Sequence, residues 1–309
     1  MDIPVYVMAG FLDSGKTQFI NGTLSDGFAA KAKTLLLRCE EGEEDYDPAL
    51  LRNVTVVDLE DEEELTMEFL QACEKKYRPR QVMVEYNGMW QLETLWNKAL
   101  PLNWFIVQTF TFFDAGTFDL YARNMGQLAM EKVKQADVLV FNRCDDALAE
   151  NLRSRNLRMT NRRAQIYLEY ENGETEDYLT GDECPFDLSQ EVIDIPDEDF
   201  GVWYVDVMDH PDRYVGKTIH AKLVMMRSTK YDKPFCPGRF AMVCCANDIA
   251  FLGLLAKGGG LEQYKNKQWL DATFTIQVES HPAYEGPGPV MEMQELRPCG
   301  KAEPELLSY

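Results

Sequence analysis

The residue types best suited to chemistry stand near the N-terminus, in the sequence GFLDSGKT at residues 10–17. This sequence satisfies G-x-x-x-x-G-K-[ST], in which glycines let the backbone curl and direct its N–H groups at phosphate oxygens. An apolar run precedes the motif and a helical stretch follows it, which is the required context. We therefore predict a nucleotide site, with Lys16 on the β- and γ-phosphates and Thr17 on Mg²⁺. The predicted binding residues of this loop are Gly10, Asp13, Ser14, Gly15, Lys16 and Thr17.

A single carboxylate, Glu85, ends the apolar run RQVMVE at residues 80–85. A carboxylate at the end of a buried strand is costly unless it is paired or lies near a cation. Mg²⁺ beside a phosphate is the natural partner, because this ion prefers oxygen ligands. We therefore predict that Thr17 and Glu85 hold Mg²⁺ together. The alternative is a strand-end carboxylate that faces water.

The sequence NRCD at residues 142–145 follows another apolar run, ADVLVF. Guanine-nucleotide proteins carry N-K-x-D at such a strand end, where the Asp accepts hydrogen bonds from the guanine N1–H and 2-amino groups. Arg143 replaces the Lys, and its planar guanidinium can also stack on a base. We predict that Asn142, Arg143 and Asp145 bind guanine, so that the cofactors are GTP and Mg²⁺. The alternatives are an ordinary strand-to-turn sequence and an ATP-dependent P-loop protein.

Three cysteines, Cys236, Cys244 and Cys245, are further candidates for ligand chemistry. Zinc takes three or four sulfur or nitrogen ligands in tetrahedral geometry. Adjacent residues of a strand point to opposite faces, so Cys244 and Cys245 can share one ion only where a bulge or turn intervenes. Buried core thiols are therefore the favoured interpretation, and a site for Zn²⁺ or another transition metal is the alternative.

The elements that must position these residues alternate along residues 1–170, where short apolar runs are separated by helical stretches. Apolar runs of this length without strict alternation predict strands buried on both faces. The sequence therefore predicts a doubly wound α/β domain of the P-loop NTPase class, with a mostly parallel sheet. The predicted strands are IPVYVMA, KTLLLR, VTVVDL, RQVMVEY, NWFIVQTFTFFD, ADVLVFN and AQIYL.

Composition divides the rest of the chain. Residues 171–200 contain no Lys or Arg, which predicts an acidic linker or exposed insertion, with a metal-collecting or partner-binding segment as the alternative. Residues 201–309 predict a small β-rich barrel or sandwich, because short strands are separated by Gly and Pro turns. The predicted strands of this part are GVWYVDVM, KTIHAKLVMM, RFAMVCCAND and WLDATFTIQVES.

The 309-residue chain carries a net charge of −21 at pH 7. Such a surface repels a phosphate backbone, which argues against nucleic acid as the main partner. No apolar run approaches the roughly 18 residues of a membrane span, so we expect no direct membrane insertion. The N-terminus lacks the pattern of a secretory signal, and we expect a cytoplasmic protein. Whether it forms a homodimer stays open.

Residues 3–170 resemble the CobW-type GTPases, relatives of the HypB and UreG metallochaperones. GFLDSGKT at residues 10–17, followed by FINGTL at residues 19–24, is similar to the family's opening G-F-L-G-x-G-K-T-T-L-L-N. Residues 39–47, CEEGEEDYD, resemble its N-E-F-G-E-x-x-x-D segment. Residues 82–89, VMVEYNGM, match its V-x-x-E-x-x-G strand end. Two further matches, FFDAGTF and NRRAQI, follow in the same order.

The resemblance implies roles for further residues. Glu40 and Glu43 would lie near Mg²⁺ or the nucleotide, and the Gly88 N–H would sense the γ-phosphate. The implied function is GTP binding and hydrolysis, with slow, partner-dependent turnover, coupled to metal handling or insertion for a metal- or corrinoid-dependent client. A nucleotide-gated adaptor with negligible turnover is the alternative. The expected partners are GTP or GDP and a metal-dependent client or a membrane-associated partner.

Two parts of the chain depart from the family pattern. The family's C-x-C-C cluster is absent, and the corresponding interval holds only Cys73, for which packing in an amphipathic helix is the favoured interpretation. The β-rich tail instead resembles the soluble, barrel-like domain of a family of predicted bacterial permease subunits. No catalytic base can be assigned from the matched residues.

Overall fold

A computed structural model describes residues 2–155, 157–178, 184–228, 235–242, 249–284 and 286–307. The chain forms two compact units, Met1–Thr180 and Gly181–Tyr309, and each has its own β-sheet. Among the described residues, no helix has the length and apolar character that a bilayer span requires.

The first unit is built on a sheet with the strand order β3-β2-β4-β1-β5-β6-β7-β8. All neighbouring strands are parallel except β8, which runs antiparallel to β7. The strands are β1 Ile3–Gly10, β2 Thr34–Arg38, β3 Val54–Asp58, β4 Gln81–Glu85, β5 Trp104–Asp114, β6 Val138–Cys144, β7 Gln165–Tyr170 and β8 Thr175–Asp177. The predicted doubly wound, mostly parallel α/β fold is confirmed.

Helices connect the parallel strands, as crossovers in such a sheet require. The helices are α1 Lys16–Ser25, α2 Met67–Tyr77, α3 Leu92–Thr94, α4 Ala115–Asn124, α5 Gly126–Gln135 and α6 Asp146–Ser154. A π-helical turn, Leu95–Ala99, extends α3, and short 3₁₀ turns lie at Pro48–Asn53, Glu62–Glu64 and Leu157–Met159.

Successive side chains of β1 point to opposite faces of the sheet, and both faces are buried. Val5 and Val7 belong to one core cluster, which includes Leu70 and Cys73 of α2. Met8 belongs to the other cluster, which includes Ile20 of α1. Burial on both faces explains why these strands are continuously apolar in sequence. Cys73 packs in the core, as the amphipathic pattern of its helix predicts.

The register of the sheet brings the predicted site residues to one edge. Met8 of β1 lies opposite Glu85 of β4, and Gly10 lies opposite Phe112 of β5. Asn142 of β6 lies opposite Asp114 of β5. Because the strands are parallel, the segments that follow them gather at their carboxyl ends, where ligands bind in open α/β sheets.

The second unit is a strongly curled sheet with the order β12-β11-β10-β14-β15-β13, with β9 beside β10 and β16 beside β11. Its strands are β9 Val192–Asp194, β10 Thr218–Val224, β11 Gly238–Met242, β12 Ile249–Gly253, β13 Leu255–Gly258, β14 Trp269–His281, β15 Gly286–Pro298 and β16 Leu306–Leu307. The edge strands β12 and β13 are separated by one residue, so the sheet must curl until its edges approach each other. The predicted barrel-like fold is confirmed.

One predicted strand of the second unit is wrong. The sequence GVWYVDVM lies in a helix, α7 Phe200–Asp209, whose Trp203 is fully buried and contacts Phe274 of β14. In a short, largely apolar run, the spacing of the apolar residues does not distinguish a buried helix from a buried strand. Packing against the curled sheet selects the helix.

The predicted linker at residues 171–200 is also structured in part. Strand β8 extends the first sheet, so the first unit reaches residue 180 instead of the predicted 170. Strand β9 pairs in parallel with β10, and Ile193 and Ile195 are buried. Backbone pairing with β7 fixes β8, and two buried isoleucines fix the region of β9, neither of which an argument from charge detects.

Candidate nucleotide site

The loop between β1 and α1 is shaped by glycines with positive φ. Gly10 has φ +140° and Gly15 has φ +95°, conformations that side chains rarely adopt. A Cβ at Gly10 would collide with the carbonyl oxygen of Phe112, and one at Gly15 would lie 2.5 Å from Asn142 Nδ2. The backbone of the loop therefore lies directly against β5 and β6, with no room for side chains at the two glycines. It leads directly into the N-terminus of α1, which favours an anion.

Lys16 is almost completely buried, although it carries a charge. Its Nζ donates hydrogen bonds to the carbonyl oxygens of Gly10, at 3.1 Å, and Phe11, at 2.7 Å. The same Nζ forms an ion pair with the carboxylate of Glu40. The loop thus curls around the ammonium group of its own lysine.

Thr17 and Glu85 are in direct contact, 68 residues apart in sequence. The Thr17 hydroxyl donates to Glu85 Oε1 at 2.6 Å, and the Tyr46 hydroxyl donates to Glu85 Oε2. Glu85 is 3% exposed. Burial raises the pKa of Glu85 above its ordinary value, and the hydrogen bonds from Thr17 and Tyr46 oppose that rise. Two hard oxygen donors thus stand side by side next to the phosphate loop.

Gly88 lies against the phosphate loop. A Cβ at this position would come within 2.6 Å of Phe11 Cα and 2.7 Å of the Gly10 carbonyl oxygen. The Gly88 N–H donates to Glu40 Oε2 at 2.9 Å. The turn after β4 is therefore in backbone contact with the loop and also bound to the segment after β2.

Asp13 connects the phosphate loop to residues 42–43. It has φ +56°, and its Oδ1 accepts a hydrogen bond from the Glu43 N–H at 3.2 Å. A Cβ at Gly42 would lie 2.7 Å from the same oxygen, so the segment approaches closely. The Glu43 side chain itself is exposed.

The strand end predicted to bind the base also contacts the loop. Asn142 Nδ2 donates to the Ser14 carbonyl oxygen at 2.7 Å, while Asn142 Oδ1 is buried without a hydrogen-bond partner. Both terminal nitrogens of Arg143 lie 3.2 Å from the Asp13 carbonyl oxygen, and one donates to Asp114 Oδ2 at 2.6 Å. Asn142 and Arg143 thus reach the loop that the sequence places them beside.

Asp145 has a different local role. Its Oδ1 accepts the Leu148 N–H at 2.8 Å and caps α6. The carboxylate is exposed, and its contact with the helix holds it at the carboxyl end of β6.

Two neighbouring hollows meet at Gly15. The first, of about 470 Å³, is lined by eight of the predicted site residues and by Leu12, Gly42 and Glu44; the eight are Asp13, Gly15, Lys16, Thr17, Glu40, Glu43, Glu85 and Arg143. The second, of about 1120 Å³, runs along β5, β6 and β7 and includes Gln18, Asn142 and Glu169. Of the residues predicted to bind the base, Arg143 lines the first hollow, Asn142 lines the second, and Asp145 lines neither.

The cysteines give no metal site within the described part of the chain. Burial raises the pKa of Cys236 to about 11, which opposes thiolate formation. Cys244 and Cys245 lie outside the described residues. Among the residues the structure describes, no group of three or more His, Cys, Asp or Glu side chains could hold a metal ion.

Three residues of the site were not found from the sequence. Tyr46 binds Glu85, Asp114 binds Arg143, and buried Lys132 donates to the Trp90 carbonyl oxygen at 3.2 Å. Tyr46 is the only aromatic residue in residues 39–47, which was the one available signal. Asp114 lies in FFDAGTF, one of the family matches, but its contact with Arg143 depends on the pairing of β5 with β6. The Lys132 contact depends on how α5 packs and leaves no local pattern.

Comparison with known proteins assigns this arrangement to a family. A sequence model of the CobW/HypB/UreG nucleotide-binding domain matches residues 4–167, which is more than half of the chain. The chain belongs to the CobW/HypB/UreG family. The predicted resemblance is confirmed, and the protein is related to metallochaperone GTPases. Residues 172–305 match a second model, the DUF1980 C-terminal domain.

Two solved structures are similar to this chain at low sequence identity. The Zn(II)-bound YjiA GTPase from E. coli is 18% identical, with 74% of each chain covered and a TM-score of 0.43. The hydrogenase maturation factor HypB from Archaeoglobus fulgidus is 16% identical, with 55% of this chain and 82% of that chain covered and a TM-score of 0.36. No curated protein sequence matches the chain.

Proposed function

We propose that this protein binds GTP with Mg²⁺ at the β1–α1 loop, hydrolyses it, and couples the nucleotide state to metal handling for a client protein. The observation that carries the proposal is the contact between Thr17 and Glu85, 2.6 Å apart, beside a loop bent by Gly10 and Gly15. A hydroxyl and a carboxylate on separate elements meet where the family pattern requires an ion.

The donor set fits Mg²⁺. Thr17 and Glu85 offer hydroxyl and carboxylate oxygens, the ligands that this hard cation prefers. Glu85 is buried, and a buried carboxylate is stabilised by a nearby cation. When bound, Mg²⁺ would neutralise phosphate charge and orient the phosphate oxygens.

The chain's own residues would perform the binding. Backbone N–H groups from residues 10–17 and the N-terminus of α1 would hold the phosphates. Lys16 would exchange its contacts with the loop carbonyls for phosphate oxygens, and the Gly88 N–H would bind the γ-phosphate. In phosphoryl transfer the protein contributes mainly positioning and charge stabilisation, so this set supplies most of what the chemistry requires.

Guanine as the base is supported by the NRCD match at residues 142–145, and the contact between Asn142 and Ser14 holds that strand end against the phosphate loop. Asp145 would accept hydrogen bonds from guanine through an oxygen that is not needed to cap α6. Arg143, anchored by Asp114 and the Asp13 carbonyl oxygen, would cover the base in place of lysine.

The coupling to a metal rests on kinship with metallochaperone GTPases. The segment around Glu40 and Glu43 contacts the loop, so a bound γ-phosphate would move it and present a different surface to a partner. Because the family's C-x-C-C is absent, Zn²⁺ or another transition metal would need other ligands, Cys236, Cys244 and Cys245 among them.

Nucleotide selectivity tests the base assignment. Titration with GTP and ATP in the presence of Mg²⁺ should show GTP binding at least about tenfold tighter, with Asp145→Asn weakening GTP by a similar factor and leaving ATP unchanged. Asn caps helices as well as Asp, so this variant keeps α6 intact. The matched control is Asp146→Asn, which alters the next carboxylate and should change neither affinity. Equal affinity for ATP and GTP would contradict the guanine assignment.

Single-turnover phosphate release tests the enzyme assignment. We expect slow release from GTP that requires Mg²⁺, and loss of that release with Thr17→Val, which keeps the side-chain shape and removes the hydroxyl ligand. Tight GTP binding without phosphate release, alone or with any client, would instead identify a nucleotide-gated adaptor.

A further inference from the structure

The two donors assigned to the γ-phosphate are already bound to a carboxylate of the chain itself. Lys16 Nζ forms an ion pair with Glu40 Oε1, and the Gly88 N–H donates to Glu40 Oε2 at 2.9 Å. One carboxylate oxygen faces each donor, as two non-bridging oxygens of a terminal phosphate would. The Glu40 side chain is only 9% exposed, so this contact is enclosed.

A second contact holds the Glu40 segment in place. Asp13 Oδ1 accepts the Glu43 N–H at 3.2 Å and lies against Gly42. Asp13 adopts φ +56°, a conformation that costs little for glycine and more for most other residues. The chain thus carries a carboxylate where backbone geometry alone would favour glycine, and that carboxylate anchors the segment carrying Glu40.

We propose that Glu40 acts as an internal substitute for the γ-phosphate, held in place by Asp13, so that the site prefers a nucleoside diphosphate to a triphosphate. This inference rests on the proposed function and concerns the specificity of the same site. A diphosphate leaves the bonds from Glu40 to Lys16 and Gly88 intact. A triphosphate must break both bonds and separate the Glu43 N–H from Asp13.

Charge acts in the same direction as geometry. The hollow around Lys16 is lined by Asp13, Glu40, Glu43, Glu44 and Glu85, against the cations of Lys16 and Arg143. A third phosphate adds negative charge directly beside the Glu40 carboxylate. The γ-phosphate and the Glu40 carboxylate carry like charges, which repel strongly in a poorly solvated site. Glu40 must therefore move away before the γ-phosphate can bind.

Two substitutions weaken the contact of Glu40 with Lys16 in different ways. Glu40→Gln keeps the side-chain shape and removes the charge that binds Lys16. Asp13→Gly removes the anchor and suits the positive φ, so the loop keeps its conformation. Glu41→Gln, a change to the exposed neighbouring carboxylate, is the matched control. Circular dichroism and thermal melting establish that each variant is folded.

The experiment measures the dissociation constants of GDP and of a non-hydrolysable GTP analogue, both with Mg²⁺, for the full-length wild type and each variant. Wild type should bind GDP more tightly than the analogue. Glu40→Gln and Asp13→Gly should each strengthen analogue binding about tenfold, with GDP affinity nearly unchanged, because a charge-assisted bond no longer competes. Glu41→Gln should leave both constants unchanged.

Three outcomes overturn the inference. Unchanged affinity ratios in both variants would mean that Glu40 does not compete with the γ-phosphate. Weaker analogue binding by Glu40→Gln would mean that Glu40 assists the triphosphate. If wild type bound neither nucleotide, the proposed function itself would fail and this inference with it, whereas the first two outcomes leave the proposed function standing.

Discussion

Lys132 is a charged side chain that is buried in the first unit beside the predicted site. It is completely buried, donates to the Trp90 carbonyl oxygen, and its ammonium nitrogen lies 5.6 Å from the centre of the Phe11 ring. Burial lowers the pKa of Lys132 to about 8, although the nearby Glu131 charge opposes the shift. The residue connects α5 both to the phosphate loop and to the turn that follows Gly88.

The lowered pKa makes stability depend on pH in a defined direction. Between pH 8 and 10.5 the unfolded chain holds a proton on Lys132 that the folded chain has released, so stability rises with pH in this window. We expect the unfolding free energy of wild type, relative to Lys132→Met, to increase by about 2 kcal/mol from pH 7.5 to pH 10. Urea unfolding of wild type and Lys132→Met at both pH values measures this difference in unfolding free energy.

Lys134→Met, an exposed position on the same helix, controls for the general loss of a lysine charge. If the wild-type and Lys132→Met stabilities changed in parallel with pH, Lys132 would not titrate in the folded state in this range.

Motif spacing was sufficient to predict that Thr17 and Glu85 lie close together. The contact of Thr17 with Glu85 follows from two motifs that end neighbouring strands of a parallel sheet. Tyr46 was out of reach, because its contact with Glu85 depends on how an acidic segment folds back over the site. Asp13 had no explanation in sequence terms, since its partner is a backbone N–H thirty residues away.

At the scale of elements, strand β9 depends on a few specific contacts. It has three residues, Val192–Asp194, and its Asp194 meets His220 of β10 at 2.5 Å. His220 also lies 3.1 Å from Asp271 of β14. Burial lowers the pKa of His220, but the hydrogen bonds and charges of the two aspartates outweigh it, so the pKa is raised. The protonated imidazole therefore joins three strands.

A raised histidine pKa stabilises the fold at low pH and ceases to do so as pH rises through the folded-state pKa. His220→Gln should therefore lower the unfolding free energy at pH 6 by about 0.5–1 kcal/mol, a value typical of partly exposed ion pairs, and by less at pH 9. Chemical denaturation at both pH values tests this. Asp194→Asn should remove much of the same pH dependence. An equal loss at pH 6 and pH 9 would indicate that His220 acts through packing alone.

Element types were predictable where periodicity and length agreed. The seven strands of the parallel sheet were found because they are short, apolar and separated by amphipathic helices. Helix α7 was not found, because a helix buried against a curled sheet loses its polar face. Strands β8 and β9 were missed because each has only three residues within a strongly acidic sequence, and β8 contains no apolar residue.

At the scale of the whole molecule, charge is the dominant feature. The chain carries 52 acidic and 31 basic side chains at its net charge of −21, so self-repulsion opposes the compact state. Many of its ion pairs are exposed, and such pairs contribute little. Added salt should therefore weaken the repulsion between the acidic side chains more than it weakens the exposed ion pairs.

We expect the thermal unfolding midpoint to rise by a few degrees between low salt and physiological ionic strength, about what 1 kcal/mol produces in a chain of this size. NaCl and KCl at equal ionic strength should act equally, because the effect is screening. A midpoint that fell with salt would mean that surface ion pairs outweigh the net charge.

Composition predicted that the first domain ends at residue 170, and the first compact unit of the structure is Met1–Thr180. Where the first sheet ends depends on whether β8 adds to β7, which is decided by backbone pairing and not by the charge of the segment. The family of the first part was recognisable because its motifs occur in order along the sequence.

The threefold engagement of Lys16 has a practical consequence for anyone who wants an inactive version of this protein. Replacing the loop lysine with alanine, the customary choice, would leave the enclosed Glu40 carboxylate without its countercharge. A variant of this kind would lose activity if it misfolded, and that loss would give no information about nucleotide binding. Replacing both charged residues together, as Lys16→Met with Glu40→Gln, removes the loop lysine without leaving a buried unpaired charge, so this inactive variant is better suited as a control.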